Sequence, residues 1–256
     1  MNIREVSRAK LAGVATFIVA ISVVAPAQAK TNNALAQAEA AVRGLQSEAA
    51  LGAPADPLAP LAESSVAAAD STSDAAGQVV RWVSRTHDNQ GHPFVIVDKV
   101  RAQVLAFDSD GQPAGASAAL LGITRGDDSA PGVGDRELRK IPVADRTTPA
   151  GRFVAKYGPA GGGHSRVLWV DYGTAVSLHP VVAANAKEHR SQRIKSATPD
   201  DNRITFGCIN VPASFYTKVV KPLFGGKDGG IVYILPETKT LVEVFPGMTF
   251  QQQAAL

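Results

Sequence analysis

Phe94-Val95-Ile96-Val97-Asp98 is the stretch on which the fold turns. An unbroken apolar run with three β-branched residues suits a strand buried on both faces. Ala102–Phe107 continues it with Val104 and Leu105, and Asp108-Ser109-Asp110-Gly111 supplies turn chemistry. Together these predict a β-hairpin, with Asp98–Arg101 as its connection. Working outward, strands are expected at Ala116–Thr124, Arg152–Tyr157, Arg166–Val170, Ala175–Leu178, Ile231–Leu235 and Thr240–Phe245. Gly126–Asp135 reads as an exposed loop. Its Asp127, Asp128 and Asp135 lack the spacing of a calcium loop and are expected in solvent. One helix stands out after Pro212, which suits a first helical turn. Its apolar face is Phe215, Val219 and Leu223, and Pro222 limits its length. The expected architecture is mostly β, a sandwich or barrel with one helix packed after Cys208.

The chain before this region is different. Arg4, Arg8 and Lys10 precede an uncharged apolar run, Leu11–Pro26, and Ala27-Gln28-Ala29 is a small-x-small signature. Residues 1–29 therefore read as a signal peptide cleaved after Ala29, which implies export to the periplasm or cell envelope. Residues 30–92 read as an Ala-rich stalk or linker with short helices. One is expected near 33–49, and Val79, Trp82 and Val83 give Gln78–Ser84 an apolar face. A catalytic domain is expected over 93–245, with a tail at 246–256.

The chain has 256 residues, 26 Lys and Arg against 23 Asp and Glu, and a formal charge of +3. So small an excess excludes an electrostatic footprint for nucleic acid. The charged fraction is 19%, below the usual value of about 25%. Removing 1–29 takes three basic groups and one acidic group, so the excess is mostly leader. A single cysteine excludes an intramolecular disulfide and a multi-cysteine metal site. An unpaired cysteine in an exported chain is either a buried small hydrophobe or a working thiol.

The thiol lies in Arg203-Ile204-Thr205-Phe206-Gly207-Cys208-Ile209-Asn210-Val211-Pro212. Gly207 lets the backbone turn sharply and approach a ligand. The nearby helix start would favour thiolate and offer N–H donors to an oxyanion. A nucleophilic thiol also needs a base. His179 ends an expected core strand, a rigid platform beside a cleft. His189 sits in Lys187-Glu188-His189-Arg190 and reads as solvated surface. His87 and His92 belong to a loop before the first strand, and His164 follows three glycines. No zinc-binding His-Glu-x-x-His, serine elbow or phosphate loop occurs.

Three stretches together resemble the L,D-transpeptidase (YkuD-like) catalytic domain, over roughly residues 93–237. Val95–Asp98 with Gln103–Phe107 is similar to its opening hairpin. Thr148-Pro149-Ala150-Gly151-Arg152-Phe153 looks like its Thr-Pro-x-Gly-x-Phe motif. Val176-Ser177-Leu178-His179 with Thr205-Phe206-Gly207-Cys208-Ile209-Asn210 looks like its histidine and Gly-Cys signature. The resemblance implies a cysteine acyltransferase on peptidoglycan stem tetrapeptides. Cys208 would be the nucleophile and His179 the base. The backbone of Gly207 and Cys208 would bind the oxyanion, and the Pro180 carbonyl would orient the imidazole. Thr205, Phe206 and Asn210 complete the implied site. The acyl acceptor would be a second stem, an envelope lipoprotein lysine or water, and the chemistry needs no metal or organic cofactor. Two departures stand out. Phe206 replaces the family's usual second histidine, and residues 180–204 make a longer gap than the usual motif. His189 would restore that gap and is the alternative base. Arg190, Arg193 and Lys195 in the gap read as a basic flap for an anionic stem, or as a solvated loop. The departures also suit a wall-binding module of the same fold with a decayed site.

Overall fold

In the computed structural model, residues 74–160 and 165–248 are described. The expected signal peptide, the helix expected near 33–49, His164 and the end of the tail lie outside them. The fold is mostly β. Its strands are β1 (Phe94–Asp98), β2 (Gln103–Phe107), β3 (Pro113–Ala118), β4 (Leu121–Gly122), β5 (Gly151–Ala160), β6 (Ser165–Asp171), β7 (Val176–Pro180), β8 (Arg203–Thr205), β9 (Ile209–Val211) and β10 (Gly230–Ile234). Eight form one nearly closed, barrel-like sheet in the order β3-β2-β1-β10-β5-β6-β7-β9, and β4 and β8 pair separately. β5, ten residues long, joins the two halves by pairing with β10 through Gly151–Ala155 and with β6 through Lys156–Ala160.

The apolar run at Phe94 is unbroken because both faces of the sheet are covered there. Val95, Val97, Val104, Ala106, Val232 and Ile234 enter one core, with Leu178 and Ile209. The alternate residues Phe94, Ile96, Leu105, Phe107, Ile231 and Tyr233 enter a second. This is the strand period of two, with an apolar partner on each side. The hairpin is as expected, with Phe94 opposite Phe107 and Asp98 opposite Gln103.

The first core is closed by the helical segment 213–224, α3. Phe215, Tyr216, Val220 and Phe224 are buried in it, while Val219 and Leu223 are only partly buried. The buried face is therefore turned by one residue from the expected one. Nor does Pro222 end the helix. Tyr216–Val220 is a π-turn, in which the Lys221 N–H donates to Tyr216 O. The wider turn accommodates a proline that has no N–H to give.

The second core is closed by α1 (Asp74–Thr86), which contributes Ala76, Val79, Trp82 and Val83. The helix expected at Gln78–Ser84 is thus present, longer, and packed on the sheet. Trp82 meets the edge of Tyr233 at 6.0 Å between centroids. At the exit of α1, Asp88 binds Arg152 at 2.5 Å and accepts from the Tyr233 hydroxyl at 2.6 Å, tying the helix to β5 and β10.

Three expectations are corrected. Thr240–Phe245 contains a helix, α4 (Leu241–Val244), and no strand. Thr240 and Glu243 form a capping box, which satisfies orphan N–H groups at the helix start. Ala116–Thr124 is not one strand, because the chain leaves β3 at Ala118 and turns into β4. Asp127 is buried and not solvated. It binds Lys99 at 2.7 Å and accepts from Glu237 N, Thr238 N, Thr238 Oγ1 and Lys239 N. Asp128 stays exposed beside Lys239. No helix among the described residues is long and apolar enough to cross a membrane.

Candidate active site

β7 and β9 run parallel, with Leu178 beside Ile209, His179 beside Asn210 and Pro180 beside Val211. Val176, Leu178, Ile209 and Val211 fill the core. Strand alternation sends Ser177, His179 and Asn210 to the opposite face. Cys208, just before β9, joins them. The four side chains form a square, with Ser177 against Cys208 and His179 against Asn210. His179 and Cys208 occupy its diagonal and line one cleft with Thr205, Phe206, Asn210 and Arg190.

The turn before the thiol is built by threonines. Thr205 Oγ1 donates to Cys208 O at 2.7 Å and accepts from Gly207 N at 3.2 Å. Thr148 Oγ1, from the Thr-Pro-x-Gly-x-Phe stretch, donates to Gly207 O at 2.9 Å and accepts from Gly122 N at 2.8 Å. Gly207 has φ 128°, and a Cβ there would lie 2.8 Å from Thr147 O. Glycine is required by both conformation and space. Phe206 lines the cleft beneath the Arg146 guanidinium, 3.9 Å from its ring centroid. Because the Gly207 N–H is engaged within the turn, it does not stand open as the oxyanion donor expected from the sequence.

Cys208 Sγ has Ser177 Oγ and Ala175 O as neighbours, each at 3.7 Å. Burial pushes its pKa up, opposed by hydrogen bonds from Ser177 and the charge of Arg190. The expected helix-assisted thiolate is not what forms, because β9 separates Cys208 from the start of α3. His179 is buried, and desolvation lowers its pKa to about 4, with the Pro180 hydrogen bond opposing and Arg190 adding. The resting pair is a thiol and a neutral imidazole.

The tautomer follows from the donors. Arg190 Nη1 donates to Asn210 Oδ1 at 2.9 Å. A guanidinium only donates, so the Asn210 oxygen must face it. The Asn210 amide nitrogen is then 3.0 Å from His179 Nε2, which must accept. The proton is left on Nδ1, 2.8 Å from Pro180 O. The Pro180 carbonyl thus accepts from Nδ1, and Nε2 carries a lone pair.

His189 is exposed, with φ 50°, at the junction of a short turn and the helix α2 (Arg190–Arg193). It does not line the cleft, and neither do His87 and His92. Three contributors were not among the site residues expected from the sequence, although Arg190 reads there as part of a basic flap. Ser177 was visible by strand parity, two residues before His179. Leu138 comes from the long loop before β5. Arg190 sits in the flap, with Glu188 beside it at 2.5 Å, and no local pattern marks it as reaching Asn210.

No known family profile matches the chain, and no curated protein does. Solved structures do. The chain is similar to the L,D-transpeptidase from Xylanimonas cellulosilytica, at 18% identity over 56% of this chain and 60% of that one, with a TM-score of 0.34. It is similar to the catalytic domain of the Enterococcus faecium L,D-transpeptidase, at 19% identity over 57% of this chain and 98% of that one, with a TM-score of 0.30. A cysteine-to-serine mutant of the Enterococcus faecium enzyme matches at 19% identity over 56% of this chain and 50% of that one, with a TM-score of 0.31. The chain spans about 60% of the length of the first of these structures.

Proposed function

We propose that this chain is a cysteine acyltransferase of the cell envelope, an L,D-transpeptidase acting on peptidoglycan stem tetrapeptides through a thioester. One observation carries the reading: a thiol and an imidazole with an accepting Nε2 lie on one sheet face and line one cleft. In the proposed reaction, Cys208 Sγ attacks the carbonyl carbon of the third stem residue. Its proton passes to His179 Nε2. The tetrahedral intermediate collapses, the bond to the terminal residue breaks, and the imidazolium protonates the departing amine. D-alanine leaves. An amine of a second stem then attacks the thioester, gives its proton to His179 and frees the thiol, leaving a crosslink. A lipoprotein lysine or water in the same place gives attachment or carboxypeptidase activity.

The charge separation belongs to the substrate complex, because the resting pair is neutral. Asn210 must release Nε2 before it can take the thiol proton. Thr205 and Gly207 hold the turn, Pro180 holds the ring, and Phe206 walls the cleft. With Gly207 N–H engaged, the Cys208 N–H is the proposed oxyanion donor.

Incubation with tetrapeptide muropeptides should release D-alanine, and Cys208→Ala should abolish the release. Undiminished release by that variant would overturn the proposal. His179→Ala should be inactive and His189→Ala active, and the reverse result would transfer the base to His189. A carbapenem, an inhibitor class for the resembled family, should give one covalent adduct by mass spectrometry. Retained binding to wall sacculi with neither turnover nor adduct would identify a binding module.

A further inference from the structure

We propose that Arg190 is a positioning residue that locks the side-chain amide of Asn210 with its donor end on His179 Nε2, reinforcing the tautomer that the Pro180 carbonyl sets. The inference rests on Cys208 and His179 as the reacting pair, and it gives a task to the long connection between β7 and β9. That connection is held at several points along its length. Val181 N donates to Val211 O at 2.8 Å, and Asn202 Nδ2 donates to Ala119 O at 3.0 Å. Between them Arg193 donates to Glu188 O at 2.9 Å and to Asp201 O at 2.8 Å. Val182 and Ile194 are buried beneath it. Arg190 is therefore carried on a braced loop, with its side chain only 12% exposed.

An asparagine amide can turn over and exchange its donor and acceptor ends. In a site without Arg190, Asn210 presents either end to Nε2. With oxygen there, an acceptor faces each ring nitrogen, since the Pro180 carbonyl already holds the proton on Nδ1, and the ring is drawn towards the imidazolium, which has no lone pair for the thiol proton. The guanidinium removes that choice, since Oδ1 is the only end that can accept from it. The backbone of Asn210 is also fixed, by reciprocal bonds with Leu120 at 2.8 and 2.9 Å. With the backbone held, the flip of the side-chain amide is the freedom that Arg190 forbids. The titratable or charged groups lining the cleft are His179, Cys208, Arg190 and Glu188. Arg190 also disfavours the imidazolium and favours the thiolate by its charge.

The test is nitrogen NMR of the imidazole in the full chain, together with the pH profile of Cys208 alkylation by iodoacetamide. Wild type and Arg190→Lys, which keeps a donor-only head, should show a single form protonated on Nδ1. Arg190→Ala should keep the proton on Nδ1 but lose the hydrogen-bond shift of Nε2, and its thiol inflection should move to higher pH. Asn210→Asp offers Nε2 only acceptors, and should hold the imidazolium to higher pH. A purely structural role predicts the opposite movement for Arg190→Ala, since opening the cleft relieves the burial that raises the thiol. An Nε2-protonated wild type overturns the proposal. So does an Arg190→Ala protein with the wild-type Nε2 shift and inflection, or an Arg190→Lys protein that behaves like Arg190→Ala. These readouts need no substrate. A chain with the relay and no D-alanine release counts against the proposed function, and an active chain without the relay counts against this inference.

Discussion

Ser177 and Cys208 stand side by side at the β7–β9 pair, with the serine oxygen 3.7 Å from the sulfur. The hydroxyl contacts a thiol whose pKa is pushed up by burial, a rise that hydrogen bonds from Ser177 oppose. Ser177→Ala removes it while the main chain stays in place. The inflection of thiol alkylation should move up by no more than about one pH unit, the scale of a weak hydrogen bond to a charged group. Alkylation rates across a pH series check this, and a downward move would show that the serine is not assisting the thiolate.

Acid should expose the cost of burying His179. Its pKa falls from 6.5 to about 4 on folding. Between those values the unfolded chain binds a proton that the folded chain refuses. Stability is therefore full above 6.5 and declines as the pH falls towards 4, by about 3 kcal/mol in all. His179→Gln lacks this contribution. Urea unfolding of both proteins at pH 7.5 and 4.5 should show the wild type losing more, and parallel losses would mean that the imidazole is not held neutral.

Gly207→Ala places a Cβ 2.8 Å from Thr147 O at a φ of 128°. Strain of this kind costs about 1–3 kcal/mol, and relief requires the turn that carries Cys208 to move. Both thermal stability and acyl transfer should fall.

The buried ion pair of Lys99 and Asp127 does not line the cleft, but Lys99 also donates to Thr148 O at 3.0 Å, behind the turn that carries Cys208. Burial alone would raise the Asp127 pKa. The hydrogen bonds from Lys99, Thr238 and the backbone outweigh it and hold the carboxyl below the usual range. Its contribution is present above the ordinary carboxylate pKa and is lost as pH falls below about 4. Lys99→Met strands a buried carboxylate and should cost about 3–5 kcal/mol. Asp127→Ala strands the ammonium and several N–H groups and should cost at least as much in denaturant unfolding.

Trp82→Ala should destabilise by about 3–5 kcal/mol, as for a large core aromatic. A chain begun at Pro93 should be less stable still than one begun at Asp74, because Phe94, Ile96 and Tyr233 would lose their cover. Unfolding of the two truncations in urea checks this.

The readable parts of the sequence were those governed by short-range periodicity. The Phe94 run and the strand ending at His179 follow from alternation and β-branching, and Ser177, His179 and Asn210 share a face by the same parity. Composition misled where it averaged over a segment. Trp82 and Val83 sit in an Ala-rich stretch, yet they complete a core whose other half begins at Phe94. Thr240 and Glu243 carried a helix signal three residues apart, masked by the apolar residues between them. Asp127 looked like loop charge because its partners, Lys99 and Thr238, are distant in sequence. Arg190 is the same case at the site, since nothing local connects it to Asn210.

The parallel pairing of β7 with β9 also sets an order of events. Parallel neighbours need a long crossover, and here residues 181–208 must be placed before His179 meets Asn210. Non-local pairing of this kind comes late, because the loop entropy is lost before the contacts form. The thiol therefore passes through refolding as an ordinary, accessible cysteine and becomes partly buried in the cleft at the end. A brief alkylating pulse during refolding would date the birth of the site, and would separate it from the earlier closure of the β1–β2 hairpin.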